Sequence, residues 1–221
     1  MAISKLNFNS LNVTPSANLA IGFDSGADDL ETSSGGGAIK FIKKLTASSS
    51  STLSFVDGSA SVVLDSTYKK YMFIFNNIHP ASADANLQVN FSIDAGSNYN
   101  VTKTTSFFRT QHGESGSGAE LGYEASLDLA QATAVKKISQ TSGADNDQGI
   151  SGILHLFNPS STTFVKHFIS QTNVSYAYSE PYAYSSYTAG YANTTSAVDA
   201  VQFSINSGNM DTGTITLYGI T

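Results

Sequence analysis

The side chains able to do chemistry are few and dispersed. Four histidines stand at His79, His112, His155 and His167. His155 and His167 fall on two apolar segments, 149–157 and 163–171, joined by the turn-rich Asn158-Pro159-Ser160-Ser161-Thr162. Such a link predicts a strand pair, which would bring the two imidazoles near enough to share a metal. A metal centre also needs further ligands and groups that orient them. No His-x-His or His-Glu-x-x-His spacing occurs, so packing or surface positions are the expected role.

Oxygen ligands gather in two places. Asp145-Asn146-Asp147-Gln148-Gly149 has the look of a calcium loop, and Asp24, Asp28, Asp29 and Glu31 form a second acidic group. Neither carries the rest of a helix–loop–helix calcium pattern, and solvated loop charge is the plainer reading of both. The most unusual cluster is aromatic: Tyr176, Tyr178, Tyr182, Tyr184, Tyr187 and Tyr191, spaced by Ser, Ala and Gly. An extended chain puts Tyr176 and Tyr178 on one face, and Tyr182 and Tyr184 likewise. Tyr with Ser and Gly is a composition of recognition surfaces, and aromatic rings stack on sugars. The other reading is a hairpin packing its rings on a sheet or a sister subunit. There is no Gly-x-Ser-x-Gly elbow and no Walker-type loop; Gly113-Glu114-Ser115-Gly116-Ser117-Gly118 lacks the lysine and reads as a flexible loop. No catalytic residue, cofactor or metal ligand is expected.

Composition narrows the classes. Of 221 residues only 13% are charged, and the net charge is −6 with a single arginine, Arg109. Binding nucleic acid by neutralising phosphates needs clustered Lys and Arg, so that partner is not expected. Cysteine is absent, which removes disulfide scaffolds and thiol chemistry. No apolar run reaches the ~18 residues of a membrane span, and Met1-Ala2-Ile3-Ser4-Lys5 lacks the start of an export signal. Ser and Thr make up about a quarter of the chain.

Two parts must position these groups. Residues 1–36 mix isolated apolar residues with the acidic group and run into Ser33-Ser34-Gly35-Gly36-Gly37, a flexible hinge signal. They read as an irregular N-terminal arm that docks on another surface. Residues 37–221 read as strand, turn, strand. Segment 69–78 alternates Tyr71, Phe73 and Phe75 with Met72, Ile74 and Asn76. Segment 86–93 alternates Leu87, Val89, Phe91 and Ile93 with Gln88, Asn90 and Ser92, the period of a half-buried strand. Further strands are expected at 38–45, 52–56, 61–64, 102–111, 197–205 and 214–220, while 121–138 is open between helical turns and strand. The sum is an all-β antiparallel β-sandwich.

Three stretches carry a family likeness: Ser66-Thr67-Tyr68-Lys69-Lys70-Tyr71-Met72-Phe73-Ile74-Phe75-Asn76-Asn77-Ile78; residues 86–93 followed by Asp94-Ala95-Gly96-Ser97; and residues 208–221, closing on Gly213-Thr214-Ile215-Thr216-Leu217-Tyr218-Gly219-Ile220. In these the chain resembles virion proteins of tailed phages, in particular marine and cyanobacterial ones. The resemblance implies a jelly-roll-like module that decorates heads or builds tail fibres, commonly as a homotrimer, and brings no catalytic residues. The expected role is a capsid decoration or cement subunit, assembled in the host cytoplasm and held on the major capsid protein or other virion proteins by residues 1–36. The alternative is a tail-fibre or receptor-binding subunit touching a host surface glycan through the tyrosines. Asp24, Asp28, Asp29, Tyr176, Tyr178, Tyr182, Tyr184, Tyr187 and Tyr191 are the interface candidates.

Overall fold

The computed structural model describes residues 20–23, 30–33, 38–177 and 181–221. Asp24, Asp28, Asp29 and Tyr178 lie outside them. The chain divides into two compact units, Met1–Ala38 and Ile39–Thr221. The first contains one antiparallel pair, β1 (Ala20–Phe23) with β2 (Leu30–Ser33), where the sequence was read as irregular. Alternation is too short there, four residues to a strand, to stand out as a period.

The second unit is an antiparallel β-sandwich. Its strands are β3 (Ile39–Thr46), β4 (Thr52–Val56), β5 (Lys70–Pro80), β6 (Leu87–Ser92), β7 (Lys103–Gly113) and β8 (Glu120–Tyr123). After a 3₁₀ turn at Ala125–Leu127 come β9 (Lys136–Lys137), β10 (Gly149–Phe157), β11 (Lys166–Ala177), β12 (Pro181–Ala192), β13 (Ala200–Ile205) and β14 (Met210–Ile220). The large sheet has the order β3-β14-β5-β10-β11-β12-β7-β8 and the small one β4-β13-β6-β9. The chain changes sheet between β3 and β4, β4 and β5, β5 and β6, β6 and β7, β8 and β9, β9 and β10, β12 and β13, and β13 and β14. That wrapped path is jelly-roll-like: β3 pairs with β14, β4 with β13, β5 with β10 and β6 with β9, and β11, β12, β7 and β8 extend the large sheet beyond β10.

Alternation decides the inside. Tyr71, Phe73 and Phe75 of β5 turn inward and are buried, as are Leu154 and Leu156 of β10, Leu87, Val89 and Phe91 of β6, and Val201 and Phe203 of β13. The Phe203 ring lies 5.2 Å from that of Phe73, 5.1 Å from Phe75 and 6.3 Å from Phe55, each edge-on. Phe55 meets Phe73 at 5.3 Å, and Phe91 meets Phe168 of β11 at 5.2 Å. These rings join the two sheets. Edge-on aromatic pairs add about 0.5–1.5 kcal/mol each beyond their buried area.

Two expectations about local structure change. Residues 61–64 are a loop, not a strand. Gly58 N donates to Val62 O (3.0 Å) and Leu64 N to the Asp57 carboxylate (2.8 Å), closing a turn in which Ala60 and Ser61 have φ of 49° and 67°. Val62 and Leu64 are apolar because this loop is tucked inward, where both are buried. The open segment 121–138 resolves into β8, the 3₁₀ turn and β9 with extended links.

Phe203 joins three partners, so truncating it opens a cavity at the centre of the sandwich. Phe203→Ala is expected to lower unfolding free energy by about 3–5 kcal/mol, read from urea melts, while Phe164→Ala, at an exposed loop position, changes it by less than ~0.5 kcal/mol.

Candidate functional site

The same alternation that buries Phe73 sends its neighbours outward. Strand registers align them in three rows across the large sheet. One row runs Phe41–Tyr218–Met72–His155–Ile169–Ala189–Ser106. A second runs Lys44–Thr216–Ile74–Ile153–Gln171–Tyr187–Phe108–Tyr123. The third holds Ile39–Ile220–Lys70–Phe157 and, beyond them, His167–Tyr191–Thr104. None of these positions carries a carboxylate. Of the nine large apolar side chains exposed among the described residues, six lie on this face: Ile39, Phe41, Phe108, Leu121, Tyr123 and Ile169.

The face is dished. Ala189 is the small residue between Ile169 and Ser106, and two adjoining depressions, of about 480 and 370 Å³, share these three side chains. Phe157, His167 and Tyr191 wall the first; Phe108, Ile153, His155 and Tyr187 wall the second. Phe108 and Tyr187 stack at 4.8 Å with planes 8° apart. Lys70 Nζ sits 5.6 Å from the centre of the Phe157 ring. Burial, and then the Lys70 charge, push His155 below the usual imidazole range, so near neutral pH it is an uncharged ring.

The structure separates the sequence-predicted residues. His155 and His167 are on the same face of adjacent strands, as their spacing predicts, but in different rows and against different rings, Phe157 and Tyr191. Among the described residues no three His, Asp or Glu side chains gather as a metal centre would need. The tyrosines do not form one surface. Tyr187 and Tyr191 point outward. Tyr176, Tyr182 and Tyr184 take the inward parity of Val174 and Ser186, at the end of the large sheet. Tyr184 packs on Tyr176 (6.2 Å) and Tyr182 (5.8 Å) and lies under the Arg109 guanidinium (5.6 Å). Tyr176 Oη donates to the Asp84 carboxylate (2.7 Å). A Cβ added at Gly118 would stand 2.7 Å from the Tyr182 ring, so the glycine-rich loop lies against Tyr182. Arg109 itself is paired, its Nε 2.5 Å from Glu124 and its Nη2 3.4 Å from Glu120.

Sequence reasoning missed the rows, although a signal was present. An antiparallel strand with one wet face reads polar on that face. Here Met72 and Ile74 in β5, and Ile153, His155 and Phe157 in β10, make the second face apolar too. It also missed three lysines, Lys103, Lys136 and Lys166, all fully buried. Among the described residues no carboxylate stands within ion-pair distance of them, and only Lys136 feels a nearby one, Asp128. Lys103 Nζ donates to Asn90 Oδ1 (2.6 Å) and Val101 O (2.7 Å). Lys136 Nζ donates to Leu127 O (2.7 Å) and stands 4.9 Å from the Phe107 ring centre. Lys166 Nζ donates to Phe164 O (2.8 Å) and Thr194 O (3.0 Å). Carbonyl dipoles and a ring face thus take the place of counter-ions.

By these features the chain is an antiparallel β-sandwich whose large sheet carries three outward rows without a carboxylate. Comparison with protein-family models, with curated proteins and with solved structures finds no match.

Burial holds Lys103 and Lys136 down to about 8, against ~10.4 in an unfolded chain. Above pH ~8 the folded protein gives up protons that the unfolded chain keeps, so stability rises with pH. The window closes near pH ~10, where tyrosine ionises in the unfolded chain; burial raises Tyr71, and its effect has the opposite sign. The urea midpoint should therefore rise between about pH 7.5 and 9.5, and the rise should flatten in the Lys103→Met/Lys136→Met double variant. A midpoint that stays level or falls in the unmutated protein contradicts this.

Proposed function

We propose that the chain is a non-enzymatic structural subunit of a phage particle, a head-decoration protein that associates with a second copy of itself through the outward face of the large sheet. The three apolar rows carry this reading. A solvent-facing patch of this kind marks an interaction surface. Three rows, each about seven strand positions of ~4.8 Å long and ~7 Å deep, cover on the order of 700 Å², close to the ~800 Å² per partner of a standard interface. The chain carries 17 acidic residues, yet the rows hold none, so two such faces meet without opposed carboxylates. Lys44 and Lys70 sit toward one edge, where ammonium groups reach water along the rim.

Architecture supports the particle setting by analogy alone: double-sheet jelly rolls recur in viral capsid and lectin domains. Two of the stretches that resemble phage virion proteins build β5 and β14, two of the strands that carry the proposed contact. A contact of the three rows on their copies is isologous and closes as a pair. Three copies around an axis, the arrangement that the resemblance implies, would each cover only part of the face.

Light scattering on sized fractions tests the contact. The unmutated chain should run as a multiple of its own mass. Ile169→Lys and Phe41→Lys should each run as monomers with urea midpoints close to unmutated. A monomer at high micromolar concentration, or unchanged assembly in both variants, overturns the contact. Within the same proposal residues 1–36 hold the subunit on the head shell, so a chain starting at residue 37 should still self-associate but be lost from particles. Undiminished incorporation would remove that role.

A further inference from the structure

A third depression, of about 410 Å³, lies where β5, β10, β11 and β14 meet the 145–149 turn, and it differs in kind from the apolar rows. Its lining is carboxamide and hydroxyl: Asn77, Asn146, Gln148 and Asn173 with Ser151, Ser175 and Thr212. We propose that this cleft binds a neutral saccharide unit. The inference does not rest on self-association.

The backbone is bent to build it. In β5 two residues, Asn76 and Asn77, face the single Ser151 of β10, and Asn77 and Ile78 face the single Gly213 of β14. One extra residue is therefore accommodated against both neighbours. Asn77 takes it up at φ 49°, a conformation that Asn tolerates better than most side chains. Gly213, at φ 111°, lets the bulge in: a Cβ there would stand 2.4 Å from Asn77 O. Bulges re-aim side chains, and non-glycine residues at positive φ concentrate at functional sites.

The re-aimed groups have unused capacity. Asn77 N donates to Ser151 Oγ (3.0 Å), and Ser151 Oγ donates to Asn77 Oδ1 (3.3 Å). Among the described residues neither hydrogen of Asn77 Nδ2 meets an acceptor. Asn173 Nδ2 donates to Tyr184 O (2.9 Å), which leaves its Oδ1 to accept. Ser175 Oγ accepts from Gly149 N (3.3 Å) and keeps its own hydrogen. Planar groups offering a donor beside an acceptor match the vicinal hydroxyls of a sugar, each of which donates and accepts.

Charge excludes the other ligand classes. No Lys or Arg lines the cleft, so a phosphate or sulfate finds no counter-charge. Asp147 is its one carboxylate, too few for a hard cation that takes 6–8 oxygens. His79 is occupied, with Nε2 3.1 Å from Asp145 O and Nδ1 3.7 Å from Asp211. The polar lining does not suit an apolar ligand. A neutral, hydroxyl-rich molecule remains.

The test is amide NMR of the full chain titrated with methyl glycosides of glucose, galactose, mannose and N-acetylglucosamine. At least one should give saturable shifts at residues 77–79, 146–151 and 173–175. Asn77→Gly, which keeps the positive φ and deletes the carboxamide, should weaken that binding about fivefold to tenfold. Asp147→Ala, in the turn, should weaken it as well and stands in should Asn77→Gly misfold. Ile169→Lys should leave it unchanged, so loss of the apolar contact and loss of the saccharide site read separately. No saturable shift with any of the four, shifts on the aromatic rows alone, or binding untouched by both cleft variants overturns the proposal.

Discussion

Phe203 stands edge-on to Phe55, Phe73 and Phe75, and this four-ring contact sets the parity of the strands around it. Strand side chains alternate with a period of two, so fixing Phe73 inside fixes Met72 and Ile74 outside. Hydrogen-bonded registers pass that parity from β5 to β10, β11, β12 and β7. A slip of one residue would bring Met72 and Ile74 into the core and turn Phe73 and Phe75 out. The apolar rows of the outer face are therefore the obligatory complement of the core, and their position is as well determined as the core's.

A second constraint is the mismatch between eight strands and four. The small sheet cannot cover the whole inner face of the large one. Across β11, β12 and β7 that face carries Ser170, Thr172, Ser186, Thr188 and Thr105, all buried. The segment between β8 and β10 takes three of these hydroxyls as partners. Thr172 Oγ1 donates to Ile138 O (2.8 Å), Gln140 N donates to Ser186 Oγ (3.0 Å) and Leu129 N to Thr105 Oγ1 (3.0 Å). A loop laid over a sheet must satisfy its own backbone groups, and hydroxyls on the sheet do so where apolar side chains could not. Lys136 anchors the same segment, capping Leu127 O from below the Phe107 ring.

Much of the fold was legible because it rests on alternation. The β5 and β6 segments were plain from their period, and the β10–β11 pair from its turn-rich link. The β1–β2 pair was too short to show a period, and Val62 and Leu64 mimicked a strand because a tucked loop also buries apolar residues. The site was less legible. The tyrosines were visible as a group, but Tyr187 and Tyr191 fall opposite Tyr182 and Tyr184 only because 181–192 is one unbroken strand. Two intervening residues, Ser185 and Ser186, reverse the parity. The polar cleft depends on a bulge at Asn77, and nothing local distinguishes Asn76-Asn77 from an ordinary strand end. The buried lysines contradict the usual exposure of that residue type and show only when carbonyl partners from other strands are in place.

Hydroxyl-radical footprinting across a concentration series tests the central claim most directly, because it reads side chains and not backbone. Phe41, Phe108, Ile169 and Tyr187 should lose reactivity together as the protein self-associates, while Phe164, exposed on the β10–β11 loop and outside the three rows, keeps its own. Reactivity on the rows that does not change with concentration, or protection that falls on Phe164 and spares the rows, would contradict an association through this face.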